Sequence, residues 1–246
     1  KNMKGRKRSI RTWINSEEQD FLHRRRGKKK DNRILIIGDL HEPFCLDGYL
    51  DFCKYTYQKY DCNKVIFIGD VIDNHYSSYH ESDADGFGGG QELELAIDKI
   101  SKWNDAFPVA DVVIGNHDRI IMRKAQSSQV PKKWIKEYKD VLNTPKWNFT
   151  ESVTYDNVLY IHGEGGTARS RMRKDLNSVV QGHLHTQFYC DWLVGKNFSI
   201  FGMQVGCGID NKSYAMAYAK NYGKPAIGCG VVLDNGTNPF NVLMKL

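Results

Sequence analysis

Five short apolar runs in this chain end the same way, and that repetition constrains the fold more than any other feature. "ILII" breaks into Gly38-Asp39-Leu40-His41, "VIFI" into Gly69-Asp70-Val71-Ile72-Asp73, and "DVVI" into Gly115-Asn116-His117-Asp118. "VLYI" runs into His162, and "SVVQ" into Gly182-His183-Leu184-His185. In four of the five, Gly directly precedes the polar group, which lets the backbone turn sharply as it leaves a strand. A buried strand does not end on a carboxylate and an imidazole side by side unless something holds them, because an unpaired buried charge is costly. In open α/β sheets the carboxyl ends of strands form the ligand crevice, so the five loops are expected to converge on one place.

The segments between the motifs agree with that reading. The strands "RILIIGD" and "KVIFIGD" flank a helix over 46–60. A helix over 92–107, with Leu93, Leu95, Ala96, Ile97, Ile100 and Trp103 on its apolar face, leads to the strand "DVVIGNHD". Residues 74–91 read as a Gly-rich loop and 119–142 as helical around Pro131. From 149 the pattern turns to strands: a pair around Asp156-Asn157, then "NSVVQGHLH", then segments near 198–205 and 226–244. Units of the βαβ kind come first and a strand-rich half follows, so the fold class is α/β.

The net charge of +6 is unevenly placed. Residues 1–33 hold 13 Lys/Arg against 4 Asp/Glu, a net of +9 that leaves −3 for the remaining 213 residues. We read 1–33 as a basic arm and 34–246 as the domain. Within the arm, Ser16 and Gln19 form a capping box and Gly27 a C-cap for one short helix. The run Arg24, Arg25, Arg26, Lys28, Lys29, Lys30 suits nucleic-acid phosphates. A solvated tail or an oligomer contact explains it equally, and with only Trp13 and Phe21 for stacking, sequence-specific readout is not indicated. Aliphatic runs such as "ILII" fall far short of the roughly 20 apolar residues that span a bilayer. No apolar stretch follows the basic N-terminus, so no secretory signal is expected, although the chain opens on Lys1 rather than Met. The six cysteines show no CxxC, and we read them as mostly buried thiols of a cytoplasmic protein.

The loop residues Asp39, His41, Asp70, Asn116, His162, His183 and His185 supply carboxylate, amide and imidazole but no thiolate, a set that suits first-row divalent metals. Two ions need about seven or eight protein ligands, and seven are here if one carboxylate bridges. Two divalent ions bring four positive charges; Asp39, Asp70 and a bridging hydroxide remove three. The balance of about one positive charge favours an anionic substrate such as a phosphate ester. Each motif alone has an ordinary explanation: a local cap, a turn aspartate, a structural pair of histidines. Five in this order, each ending an apolar run, do not.

Taken together, "GDLH", "GDVID", "GNHD", "IHGE" and "GHLH" resemble the motif series of the calcineurin-like metallophosphoesterase superfamily over about residues 34–245. The resemblance implies a four-layer α/β/β/α sandwich of two mixed sheets. It implies one ion held by Asp39, His41, Asp70 and His185 and a second by Asp70, Asn116, His162 and His183, with Asp70 bridging. It also implies His117 beside the leaving group, with Asp118 orienting it through a hydrogen bond. Manganese is the first expectation for the metal, with iron, zinc and nickel as alternatives. The protein Ser/Thr phosphatases of the superfamily carry GDxVDRG and GNHE, and "GDVIDNH" with "GNHD" departs from both. The double-strand-break-repair nucleases tend to have His where this chain has Asp73. "SYHESDADGFGGGQEL", "FGMQVGCGID" and "AYAKN" are similar to metallophosphatases of tailed bacteriophages, for which the location is the host cytoplasm.

Around the motifs, Arg169 and Arg171, beside Arg173, Lys174, Gly165 and Gly166, form either a phosphate cradle or a solvated basic helix start. Arg119 is either a phosphate contact or half of a salt bridge. His75, with Tyr76, His80 and Phe87, is either a substrate-side rim or part of a surface loop. The expected function is a dinuclear metal-dependent phosphoesterase, hydrolysing mono- or diesters by in-line attack of a metal-bridging hydroxide. A nuclease or phosphodiesterase, a small-molecule phosphomonoesterase, and a nucleic-acid-binding protein with a non-catalytic metal site are the readings to be separated.

Overall fold

All four residues of the first strand are buried, so both faces of its sheet must be covered. Leu35 and Ile37 enter one apolar cluster, Ile34 and Ile36 another, as the two-residue period of a strand requires. The computed structural model describes residues 31–79, 86–210, 212–213 and 223–246. The expected arm helix, its basic run, His80 and "AYAKN" lie outside these.

From the N-terminal side the elements are β1 (Ile34–Ile37), α1 (Tyr49–Lys59), β2 (Lys64–Phe67), α2 (Gly89–Ala106), β3 (Ala110–Val113), α3 (Ile120–Ser127), α4 (Tyr138–Val141) and β4 (Trp147–Thr150). Then come β5 (Ser152–Tyr155), β6 (Val158–Ile161), α5 (Ala168–Asp175), β7 (Ser178–Gln181), β8 (Phe188–Val194), β9 (Ser199–Val205), β10 (Gly228–Leu233) and β11 (Asn238–Leu243). The first sheet has the order β11-β10-β1-β2-β3-β4, the second β5-β6-β7-β9-β8. Both are mixed: β1 to β4 run parallel with β10 antiparallel to β1, while β6, β7 and β9 run parallel with β5 and β8 antiparallel at the edges.

Helices cover the first sheet because their buried residues recur at helical spacing. Tyr49, Cys53 and Thr56 of α1, and Glu92, Ala96, Ile100 and Trp103 of α2, turn inward. Tyr49, Cys53, Ala96, Ile100 and Trp103 pack with Leu35, Phe67 and Val112. Leu95, expected on that face, is exposed, since it lies one position off the 92-96-100-103 stripe. Between the sheets, Ile34, Ile36, Ile66, Ile68 and Val113 meet Val180, Tyr160, Phe201 and Met203. On the far side, α5 buries Ala168 and Met172 against β7 and β9. The result is the expected four-layer sandwich.

Three details depart from expectation. The stretch 119–142 is not one broken helix but α3, a single 3-10 turn at Lys132–Trp134, and α4. Gln129 in left-handed conformation (φ 57) and Pro131 interrupt it. The edge strand β8 was not expected; its residues are half-buried or exposed and carry no clean alternation. Within the described part of the Gly-rich loop, His75–Ser77 form a 3-10 turn, and Gly89-Gly90 already belong to α2. The turn at Asp156-Asn157 is as expected, with φ of 51 and 61 joining β5 to β6. All six cysteines are free, and Cys53, Cys62, Cys207 and Cys229 are buried. Among the described residues, no helix is long and apolar enough to cross a membrane.

Ile36 is fully buried between the sheets. Ile36→Ala is expected to cost about 2–5 kcal/mol, seen as a lower urea midpoint at unchanged slope. A loss below about 0.5 kcal/mol would contradict the packing described.

Candidate metal centre

Parallel strands put all five motifs at one end of the molecule, because β1, β2 and β3 run together in one sheet and β6 and β7 in the other. The side chains confirm the convergence. His41 Nε2 is 3.1 Å from His185 Nε2, and His185 Nε2 is 3.2 Å from Asp39 Oδ2. His162 Nε2 is 2.9 Å from Asn116 Oδ1 and 3.1 Å from Asp70 Oδ2. Three groups have donor atoms close enough to share one ion: Asp39 with His41 and His185; His41 with Asp70 and His117; Asp70 with His162 and His183. Asp70 and His41 each belong to two of the groups.

Hydrogen bonding shows that the cluster is built for cations. His162 Nδ1 lies 2.9 Å from the carbonyl oxygen of Ile68, and His41 Nδ1 lies 2.6 Å from Asp73 Oδ1. Both partners accept, so both Nδ1 atoms donate, and in the neutral rings each Nε2 presents a lone pair. The His162 lone pair then faces two acceptor oxygens. Acceptors facing acceptors need a proton or a metal between them. Asp39 Oδ1 is buried with no hydrogen-bond partner, an arrangement that is expensive unless a cation compensates it. The residues present therefore fit divalent metal.

The protein's own charges show the same demand. Burial works against a charged His162, but Asp70 and Asp39 outweigh it and push its pKa up to about 10. Burial likewise opposes ionisation of Asp70, yet His162, His117 and His41 hold it well below the usual carboxylate range. Asp39 is lowered too, by His185 and His162 against its own burial. The carboxylates stay ionised, and the cluster takes up positive charge to match.

The glycines before the ligand positions do a different job from the one expected. Only Gly69 has a left-handed φ, of 106. At Gly115 an added Cβ would overlap the Asp70 carboxylate, at Gly182 it would meet Asp39 Oδ1, and at Gly38 it would strike the backbone of Gly206. Glycine is there for space: each ligand loop passes against another.

His117 is held as expected near the cluster, but by other partners. Its Nδ1 lies 2.7 Å from the carbonyl oxygen of Asp73 and 3.3 Å from Asp73 Oδ1. Its backbone N–H donates to Asp70 Oδ1 at 2.8 Å. Burial lowers the His117 pKa, and Asp70 and Asp73 more than restore it, so the net direction is upward. The expected hydrogen bond from Asp118 is not the one that forms. The Asp118 carboxylate accepts from the backbone N–H groups of Val71, Ile72 and Gly115 at 2.8–3.3 Å, tying the second motif to the third. Orientation falls instead to Asp73, which grips both His41 and His117. Asp73 belongs to the second motif in the sequence, but its hold on two histidines of other motifs has no signal there.

Each of the four candidate substrate contacts has partners within the protein. Arg119 is ion-paired with Glu151 and Glu164 and donates to the Ile114 carbonyl. Arg169 pairs with Asp191 and lies 4.5 Å over the Tyr189 ring, and Arg171 pairs with Asp175 one turn along α5. The loop before α5 is pinned by Gln181, whose amide donates to the carbonyls of Gly163 and Gly166. His75 is not on a rim but buried, 3.7 Å from Asp73 Oδ2, and its backbone N–H donates to Glu92 Oε1 at 2.7 Å. Glu92 also accepts from Tyr76 N and so anchors the loop after β2 to α2. Burial pushes the Glu92 carboxyl up to about 7.

The sequence pattern of the Calcineurin-like phosphoesterase family matches residues 32–199. Comparison with curated protein sequences returns no match. Among solved structures, the chain is similar to Vacuolar Protein Sorting 29 from Cryptosporidium parvum at 13% identity, covering 88% of this chain and 98% of that one, with a TM-score of 0.44. It is similar to Yfce, a phosphoesterase from E. coli, at 14% identity, 87% and 100% coverage and a TM-score of 0.40. It is also similar to the nuclease MPE of Pseudomonas putida at 12% identity, 85% and 86% coverage and a TM-score of 0.34.

Asp73→Ala removes the acceptor of His41 Nδ1–H and is expected to lower affinity for divalent metal by about 10–100-fold, read by calorimetric titration. Unchanged affinity would show that Asp73 does not set the His41 ring. Glu92 gives a pH signature. Its folded pKa, about 7, lies above its ordinary 4.5, so the folded chain holds the proton more tightly than the unfolded chain. Its stabilising contribution is complete below 4.5 and is lost as the pH rises through about 7. Glu92→Gln should flatten the urea midpoint across that window; an unchanged pH profile would count against it.

Proposed function

Since the chain belongs to the calcineurin-like phosphoesterase family, we propose that it is a dinuclear metal-dependent phosphoesterase. One observation carries the reading: Asp70 is shared, with its Oδ2 3.1 Å from His162 Nε2 on one side and 3.8 Å from His41 Nε2 on the other. A single buried carboxylate between two donor groups is what a bridging ligand requires. On this reading Asp39, His41, Asp70 and His185 would hold one ion, and Asp70, Asn116, His162 and His183 the other. Manganese is the metal proposed first. Bound ions supply Lewis acidity and an activated water for in-line displacement at phosphorus.

The remaining roles belong to the chain's own groups. His117 donates from Nδ1 to the Asp73 carbonyl, which leaves Nε2 to carry a proton to the leaving oxygen. Asp70 and Asp73 raise its pKa against its own burial, which favours the protonated ring. Asp73 fixes the tautomers of both His41 and His117. Asp118 holds the second and third loops in register and so acts on the reaction only through position. Within the class, mono- and diesters are both open to such a site, and a cytoplasmic, bacteriophage-encoded enzyme is part of the proposal.

The test is steady-state hydrolysis of bis-p-nitrophenyl phosphate and p-nitrophenyl phosphate with added manganese. Turnover should vanish with chelator and return with metal. Asp70→Asn should lower it by at least about a hundredfold, the upper end of what even outer-sphere changes cost. Wild-type rates in metal-containing buffer for Asp70→Asn would overturn the proposal.

A further inference from the structure

The body of the protein is acidic, yet one face of it is not. Residues 34–246 carry a net charge of −3, while 119–139 hold seven Lys/Arg against a single Glu. Arg119 is occupied by Glu151 and Glu164. The other six positive side chains lie on α3 and in 132–139, with Lys132 3.9 Å from Glu137 in an exposed, water-screened pair. Lys132, Lys133 and Lys136 are exposed, and they flank Trp134, which is 84% exposed. An indole exposed among lysines has no role in the core and leaves its ring face open to stacking.

A second aromatic sits on the same face. Tyr79 is 63% exposed, with Arg123 and Lys124 of α3 5.5 and 5.4 Å from its ring centre. Between α3 and the 130–138 segment lies a cavity of about 620 Å³ with Met122, Ile135 and Phe149 on its apolar walls. This face is joined to the metal cluster. Arg119, which opens α3, follows Asp118 directly, the Tyr138 hydroxyl donates to the Asp118 carbonyl at 3.2 Å, and Tyr79 is six residues past Asp73.

We propose that the face formed by α3, Tyr79 and residues 131–139 binds a single-stranded polynucleotide and leads it toward the metal cluster. Interleaved cations and exposed aromatic rings match an alternation of phosphates and bases. A duplex would offer the phosphates but hide the base faces that Trp134 can stack on. The binding stands on this surface alone; what happens to the strand rests on the phosphoesterase reading.

The experiment uses the full chain, including its basic arm, with fluorescein-labelled oligo(dT) and oligo(rU) in fluorescence anisotropy at several salt concentrations. Trp134→Ala should weaken binding by at least about fivefold, the loss of one stacked base. The triple variant Lys132→Glu, Lys133→Glu, Lys136→Glu should also weaken it and reduce the slope of log affinity against log salt by about two, three phosphate contacts at ~0.7 each. Hydrolysis of bis-p-nitrophenyl phosphate, too small to reach the face, should be unchanged in both. Dependence on Trp134 with either probe supports the proposal, and the tighter probe identifies the strand. If both variants bind as the wild type does, or if duplex binds as tightly and without regard to Trp134, the strand is held elsewhere and the proposal fails. Oligonucleotide binding that depends on Trp134 in a protein with no esterase turnover would sink the phosphoesterase reading and leave this one standing.

Discussion

The Asp70 carboxylate is the fixed point of this molecule. It is 1% exposed, and a charge so deeply buried must be matched by its neighbours or it would unfold what surrounds it. One oxygen takes the His117 N–H, and the other lies against the imidazoles of His162 and His41. Those partners come from both sheets. The sandwich must therefore close before the charge is satisfied, and once closed it has a strong reason to stay so. The backbone is held against its preference here as well, with His41, Asp70 and His183 at φ of 52, 49 and 68. Non-glycine residues in that region cost on the order of 1 kcal/mol each and persist only where the surroundings dictate them.

Layering and chemistry meet in the first strands. The alternation that sends Leu35 toward the helices and Ile36 toward the second sheet also aims the loop beyond β1 across the gap between sheets. Asp39 can then reach the loop after β7, where the His183 N–H donates to its Oδ2 at 2.8 Å. Two apolar clusters hold the sheets in place, and the polar cluster sits where their strand ends open to solvent.

Much of this was legible because it depends on local rules. A buried strand needs covering on both faces, a left-handed turn suits Asp156-Asn157, and helical spacing marks Ala96, Ile100 and Trp103. The convergence of five motifs follows from parallel strands alone. The misses concern partners that sequence distance conceals. Asp118 sits beside His117 in the chain but serves the backbone of Val71 and Ile72, 47 and 46 residues away. Asp73 reaches back 32 residues to His41. The arginines at 119, 169 and 171 read as anion contacts because nothing in the linear order shows that Glu151, Glu164, Asp191 and Asp175 claim them. Strand β8 stayed hidden because an edge strand with half-exposed residues has no pattern to declare.

The close fit of Gly115 against Asp70, and of Gly182 against Asp39, has a consequence for evolution and for design. Each motif supplies its own ligand and also the recess that another motif's ligand occupies. Substitutions in different motifs therefore share neighbours in space, and their effects are not expected to add. A loop grafted alone onto another scaffold would bring its donor atoms but not the recess they rest in. The transferable unit of this centre is the set of interlocked strand ends, and lineages that alter one of them will be under pressure to alter its counterpart.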